Sequence, residues 1–238
     1  MDYRKNFDRC HDRLNDGHIN LSAYVADDEF KDFISDALEK RSDISEYTVG
    51  DAFSAPFSFK YNGGELSQLG VLLNKEDALS RNVGKFEITE DSDFKSGIYL
   101  PMLYGTGDNY AAGDTIKITF LGEEFEYTVC GFFNSAMTGS HNCGMMALLF
   151  TEDKFADFSR EGGALDSVYV SARINDISKC EEIATELKDE ISKKFPDVVV
   201  TGNDYEMVTV SRYVSQMICA GILSAMAFLV LLIGIVII

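Results

Sequence analysis

Apolar and polar positions along this chain follow two periods, and one pattern occurs twice. Between His18 and Val25, the residues Ile19, Leu21, Ala23 and Val25 fall on every second position, which predicts a strand. Asp27 and Asp28 then open a helix with Phe30, Phe33, Ile34, Ala37 and Leu38 on one face. Ile44–Val49 predicts a second strand and completes a β-α-β unit. The pattern returns later. Ser167–Ile174 alternates, and Asp176 or Ser178 caps a helix running to about Phe195, with Ile183, Leu187 and Ile191 inward. Pro196 stops that helix, and Asp197–Gly202 predicts a closing strand. Two such halves imply a split ferredoxin-like, porter-type sheet from residues 18–52 and 164–205, in an α+β protein.

Residues 53–163 have a different character and predict a β-rich insert between the halves. Residues 52–74 read as two strands joined at Asn62-Gly63-Gly64. Lys85–Ile88 is a weak strand, and Ser96–Gly107 is a strand running into a loop. Residues 115–133 form the clearest hairpin, with its turn at Gly122-Glu123. Met145–Phe150 is a further apolar strand, and Thr151 caps a short helix to Phe158 with Glu152 and Asp153 in its first turn. Before all of this, Tyr3–Asp16 reads as a charged helix stopped by Gly17. Residues 1–17 are expected to lead from a first membrane helix that the sequence lacks.

The last stretch changes the class of protein. From Gln216 to Ile238 the chain reads QMICAGILSAMAFLVLLIGIVII, and no residue after Arg212 is charged. Met217–Ile238 would span about 33 Å as a helix, against a hydrocarbon core of about 30 Å. Apolar side chains cover every face, so residues 214–238 are expected to form a transmembrane helix, cut short where the sequence stops. Gly221, Ala225 and Gly234 would let a neighbouring helix come close. A buried core helix is the alternative.

Charge then sets the side of the membrane. The net charge of −18 all lies before residue 213 and opposes a nucleic-acid partner. Cytoplasmic flanks collect Lys and Arg, yet Arg212 is the only basic residue between Pro196 and the apolar run. Residues 1–212 are therefore expected outside the cell membrane. The opening MDYRKNFDRC has no apolar signal segment, so an upstream membrane helix would have to deliver the domain. Cys10, Cys130, Cys143 and Cys180 lack metal-type spacing; Cys130–Cys143 or Cys10–Cys180 bridges and free, partly buried thiols both stay open.

No catalytic, cofactor-binding or metal-binding residue is assigned, and the chain is expected not to be an enzyme. His141-Asn142-Cys143 puts a nucleophile beside a base, but neighbours on an extended segment point apart. The segment Thr138–Gly144 reads instead as a Gly/Ser-rich surface loop, and loop 134–144 as partner-facing. Cys10-His11 fails on a helix for the same reason. The acidic groups Asp27-Asp28-Glu29, Glu90-Asp91-Ser92-Asp93 and Glu123-Glu124 lack Ca²⁺-loop spacing. Gly105-Thr106-Gly107-Asp108 lacks the Lys of a phosphate loop. Phe53, Phe57, Phe59 and Tyr61 fit a core stripe better than a ligand groove.

Three short motifs carry a resemblance. Ile98-Tyr99-Leu100-Pro101, Ala112-Gly113-Asp114-Thr115-Ile116 and Phe125–Phe132 (FEYTVCGF) resemble the I-x-L-P strand, x-G-D-x-I turn and F-x-V-x-G strand of the periplasmic core in FtsX/MacB-type ABC-transporter permeases. Cys130 stands where that family often has a second Val. The likeness extends over nearly the whole chain. It implies an extracytoplasmic domain that dimerises as a homo- or heterodimer in the lipid bilayer. A cytosolic ABC ATPase would drive it from a separate chain or domain, and the domain would pass that motion to an exported substrate or an outside partner. The rival readings are a tail-anchored binding or adaptor protein with residues 1–212 in the cytosol, and a membrane-tethered hydrolase using Cys143 or Cys130.

Overall fold

A computed structural model describes residues 3–24, 28–107, 109–161 and 165–237. Val25, Asp27, Asp108, Gly162, Gly163 and Ile238, which figure in the expectations above, lie outside the described residues. The elements in order are α1 (Tyr3–Arg13), β1 (Ile19–Tyr24), α2 (Asp28–Glu39), β2 (Ile44–Tyr61), β3 (Gly64–Asn74) and α3 (Lys75–Ser80). Then come β4 (Glu87–Asp91), β5 (Ile98–Pro101), β6 (Thr115–Phe120), β7 (Glu123–Asn134), β8 (Met146–Phe150) and α4 (Glu152–Glu161). The chain closes with β9 (Leu165–Ile174), α5 (Cys180–Lys194), β10 (Val200–Asp204) and α6 (Tyr205–Ile237).

The split sheet has the order β10-β1-β9-β2, each strand antiparallel to its neighbour. Two β-α-β units therefore interlock, each placing one strand between the two of the other, which is the ferredoxin-like arrangement. The strands bury Ile19, Leu21, Val168 and Val170 against the apolar faces of α2 (Phe30, Ile34, Leu38) and α5 (Ile183, Leu187, Ile191).

β2 is longer than its sequence suggests. The expected break after Val49 is absent, and one 18-residue strand runs through residue 53 into the insert. Its neighbours explain this. One edge pairs with β9 over Ile44–Ser54 and then with β6 over Phe57–Phe59, while the other pairs with β3 over Phe53–Tyr61. Pro56 sits in the gap between the β9 and β6 ladders, where that edge asks for no donor.

The insert closes on itself. β2 pairs β3, β3 pairs β8, β8 pairs β5, β5 pairs β7, β7 pairs β6, and β6 returns to β2. The ring removes sheet edges. It is filled by Phe57, Phe59, Leu100, Tyr104, Ile118, Phe120, Phe132 and Leu148. The aromatic stripe of β2 is thus core, with Phe53, Phe57 and Phe59 each at most 7% exposed.

α6 begins at Tyr205 and is one helix of 33 residues. Among the described residues no helix is long and apolar enough to cross a membrane. The side chains at 229 and 231–238, on which the expected span depends, are outside the described set.

The hairpin turn between β6 and β7 lies one residue earlier than expected, at Leu121-Gly122, with φ of 49° and 96°. Leucine is strained in this left-handed region, which costs roughly 1 kcal/mol. Its side chain is 55% exposed and recovers little by burial. Asn62 and Gly63 take the same kind of conformation at the β2–β3 turn with residues suited to it. Leu121→Asn should therefore raise the melting temperature by about 2–4 °C in a thermal melt.

Candidate functional site: the junction of the two terminal helices

A buried polar cluster that includes His11, Asp16, His18 and Asn203 lies where α1 and α6 meet the body of the domain. α1 turns Phe7, His11 and Leu14 inward at helical spacing, each at most 6% exposed. Asn15 ends the helix at φ 45°. That turn points Asp16 into the protein, where it is 2% exposed.

Asp16 holds a loop. Its Oδ2 accepts the backbone N–H groups of Ala136 at 2.9 Å and Met137 at 3.0 Å, and its Oδ1 accepts that of Gly17 at 2.9 Å. Asn203 on β10 serves the same loop from the other side, donating through Nδ2 to the carbonyl oxygens of Met137 at 2.7 Å and Cys143 at 2.8 Å. Arg212 on α6 donates to the Ala136 carbonyl at 3.0 Å. Three segments thus satisfy the buried backbone of residues 135–143, which would otherwise be costly to bury. The expected partner-facing surface loop is overturned here. Ala136, Met137, Thr138 and Cys143 are each at most 2% exposed, and Ser140 is 9%. The Asp16 and Asn203 side chains require the loop inside.

Beside Asp16, two histidines stack. The rings of His11 and His18 lie 4.9 Å apart at 18°, and both meet Tyr205 of α6 edge-on, at 5.0 and 5.8 Å. His11 Nε2 donates to the Gly17 carbonyl at 3.2 Å. His18 Nδ1 accepts the Ile174 N–H at 3.0 Å, and its Nε2 is buried without a hydrogen-bond partner among the described residues. Arg173 donates to the Asp16 carbonyl at 3.1 Å and to Asp12 at 3.3 Å. Tyr205 donates its hydroxyl to Asp8 of α1 at 2.5 Å. Burial lowers both histidines, His18 to about 4, where the nearby His11 and Arg173 charges add to the effect. Burial pushes the Asp16 carboxyl up, against His11 and the amides that favour its charged form.

The candidate nucleophiles are placed apart from bases. Cys143 Sγ faces Arg212 at 3.2 Å and the Ala136 carbonyl at 3.7 Å, while His141 Nδ1 faces the Tyr104 hydroxyl at 3.3 Å. Burial pushes the Cys143 thiol up and His141 down. All five cysteines are free, including both pairs considered for bridges. Among the described residues no three metal-ligand side chains converge. A groove of about 680 Å³ opens beside the cluster, between Phe7 on α1 and Tyr205, Thr209, Tyr213 and Gln216 on α6. Asp16 and Asn203 were not singled out from the sequence, where Asp16-Gly17 reads as an ordinary helix stop. The one usable signal was Arg212, alone at the head of an apolar run.

No family model and no curated protein matches the chain. Among solved structures, it is similar to the periplasmic region of MacB from Actinobacillus actinomycetemcomitans, at 11% identity and TM-score 0.35, covering 86% of this chain and 94% of that one. It is similar to the extracellular domain of the noncanonic ABC-type transporter YknZ from Gram-positive bacteria, at 12% identity and TM-score 0.34, covering 76% and 99%. A domain of a putative permease protein from Porphyromonas gingivalis is similar at 11% identity and TM-score 0.32, covering 78% and 89%.

Two outcomes follow for the cluster. Asp16→Ala strands the amides of Ala136 and Met137 in the interior and should cost on the order of 3 kcal/mol in a denaturant melt, with Asp16→Asn recovering only part. His18 binds fewer protons folded than unfolded between its usual 6.5 and about 4, so its contribution is complete above pH 6.5 and is lost as pH falls through that window. Asp16, shifted up, acts in the opposite sense. The difference between wild type and His18→Asn, which keeps an acceptor for Ile174, should therefore shrink by roughly 2–3 kcal/mol from pH 7 to pH 4.5.

Proposed function

We propose that residues 1–212 form the extracytoplasmic domain of an ABC-transporter permease of the FtsX/MacB type, followed by a membrane helix at 214–238. A cytosolic ABC ATPase on another chain or domain would supply the motion, and this domain would convey it to an exported substrate or an outside partner. The observation that carries the proposal is the junction itself. The helices that bracket the domain, α1 and α6, touch through Phe7 and Tyr205, with ring centroids 5.7 Å apart, and through Arg212 stacked 4.9 Å over Phe7. Both reach the same buried loop, α1 through the Asp16 that follows it and α6 through Arg212. A shift of α6 against α1 must break these bonds or carry the loop, and the sheet strand holding Asn203, with it.

The resembling motifs also cohere in space. Ile98–Pro101 is β5, buried at all four positions. Gly113, at φ 94°, leads into β6, and Phe125–Phe132 lies in β7, between β5 and β6. The three motifs are one continuous wall of the ring.

Two measurements test the proposal. With a cysteine at the exposed Asp93, a membrane-impermeant maleimide should label intact cells; labelling only after lysis would place residues 1–212 in the cytosol and favour a tail-anchored adaptor. In the full transporter, Asn203→Ala should leave ATP hydrolysis near wild type and lower export about tenfold, equivalent to ~1.4 kcal/mol of coupling. Equal loss of both activities would mean that the junction only supports folding.

A further inference from the structure

Of the two stacked histidines, His11 is the one with a nitrogen to spare. Its Nε2 donates to the Gly17 carbonyl, so in the neutral ring Nδ1 is the bare nitrogen, and it faces Asp12 Oδ1 at 3.8 Å. The Asp12 side chain is 73% exposed and connects that nitrogen to water. His18 is closed to a proton in the folded protein. Its Nδ1 already accepts the Ile174 N–H, so its single hydrogen sits on Nε2, and a second one would set two donors against each other. His11 is 1% exposed, with Phe7 of α1 at 6.1 Å and Tyr205 of α6 at 5.0 Å over its ring. The charged groups about this packing are Asp8 and Asp12 of α1, Asp16 after it, Arg173 of β9, and Arg212 of α6 beyond Phe7.

We infer that His11 is the proton receptor of the junction: one proton taken up at its Nδ1 lifts α6 away from α1. A buried imidazolium needs water, and the Tyr205 ring is the part of its cover that α6 can withdraw. The Tyr205 N–H bonds the His18 carbonyl at 2.8 Å, so α6 can swing about its first residue without leaving the sheet. Burial lowers His11, and Arg173 adds to that, although Asp16, the Gly17 carbonyl and Asp12 favour the charged ring. The closed junction therefore binds the proton less well than the open one. Closure is complete above the usual 6.5 and is lost as pH falls below it. Asp16 keeps its three backbone amides in both positions and does not offset the change. That the proton comes from outside the cell rests on the membrane reading above; the latch itself does not.

Two buried thiols read the motion. Cys143 lies beneath α6 with Sγ 3.2 Å from Arg212, Cys130 lies in the ring wall, and burial pushes both thiols up. Membranes holding the full protein would be treated with N-ethylmaleimide at pH 7.5 and pH 5.5, with labelling at each cysteine counted by mass spectrometry. This reagent crosses membranes, so the result does not depend on which side residues 1–212 occupy. Acid depletes both thiolates alike, and the ratio of the Cys143 rate to the Cys130 rate isolates the lifting of α6. That ratio should rise several-fold from pH 7.5 to pH 5.5, about tenfold being the most one histidine can supply. It should stay flat in His11→Gln and still rise in His18→Asn. A flat ratio in the unsubstituted protein would overturn the proposal. An equal rise in His11→Gln would assign the response to another group, the Tyr205–Asp8 bond included, and would also overturn it. Loss of the rise in His18→Asn would do the same by moving the proton to His18. Should His11→Gln expose both thiols at once, as an unfolded chain would, the unsubstituted protein and His18→Asn decide.

Discussion

A carboxylate taken out of water is tolerated only if its surroundings replace the water, and that requirement governs the junction of this protein. Asp16 is held by backbone N–H groups of a loop more than a hundred residues away in sequence. The dependence is mutual. Without Asp16 the loop amides are stranded, and without the loop the buried Asp16 keeps only the Gly17 amide as a backbone donor. Because Asp16 sits between α1 and β1, the same bonds fix the angle at which α1 leaves the domain. Asn203 and Arg212 do the equivalent for β10 and α6. The loop is therefore a shared anchor, and its backbone is the surface on which three separate segments agree.

The periodic parts of this arrangement were legible in the sequence. Alternation in Ile19–Ala23 and Ser167–Ile174, and the inward faces of α2 and α5, come from burial on one side only, which leaves a direct imprint on residue order. The aromatic stripe of β2 was read correctly for the same reason. Other features left no such imprint. The continuity of β2 through Gly50 and Asp51 is decided by β9, which pairs with both residues from far along the chain. The closure of the ring depends on a three-residue ladder between β2 and β6. Neither strand announces the other.

The junction was misread for a more specific reason. Gly, Ser, Thr and Asn in residues 134–144 resemble a solvated turn, because small polar residues are also what a tightly folded buried loop needs. What distinguishes the two cases is the presence of outside partners for the backbone, and these are Asp16, Asn203 and Arg212. In sequence they look like a helix stop, a strand end and a membrane-flanking charge. The histidine pair shows the same ambiguity: His11 and His18 are seven residues apart across a turn, and nothing short of the fold stacks them.

The unbroken course of β2 also bears on how such a chain can be divided or recombined. A strand whose first part belongs to one sheet region and whose last part belongs to a closed ring offers no seam for cutting. A gene segment encoding the ring alone would begin inside a strand and lose the ladder to β9 that orders it; one encoding the split sheet alone would leave half a strand unpaired. Exchange of modules between related chains would therefore have to carry β2 whole, and the two regions would be inherited as one piece.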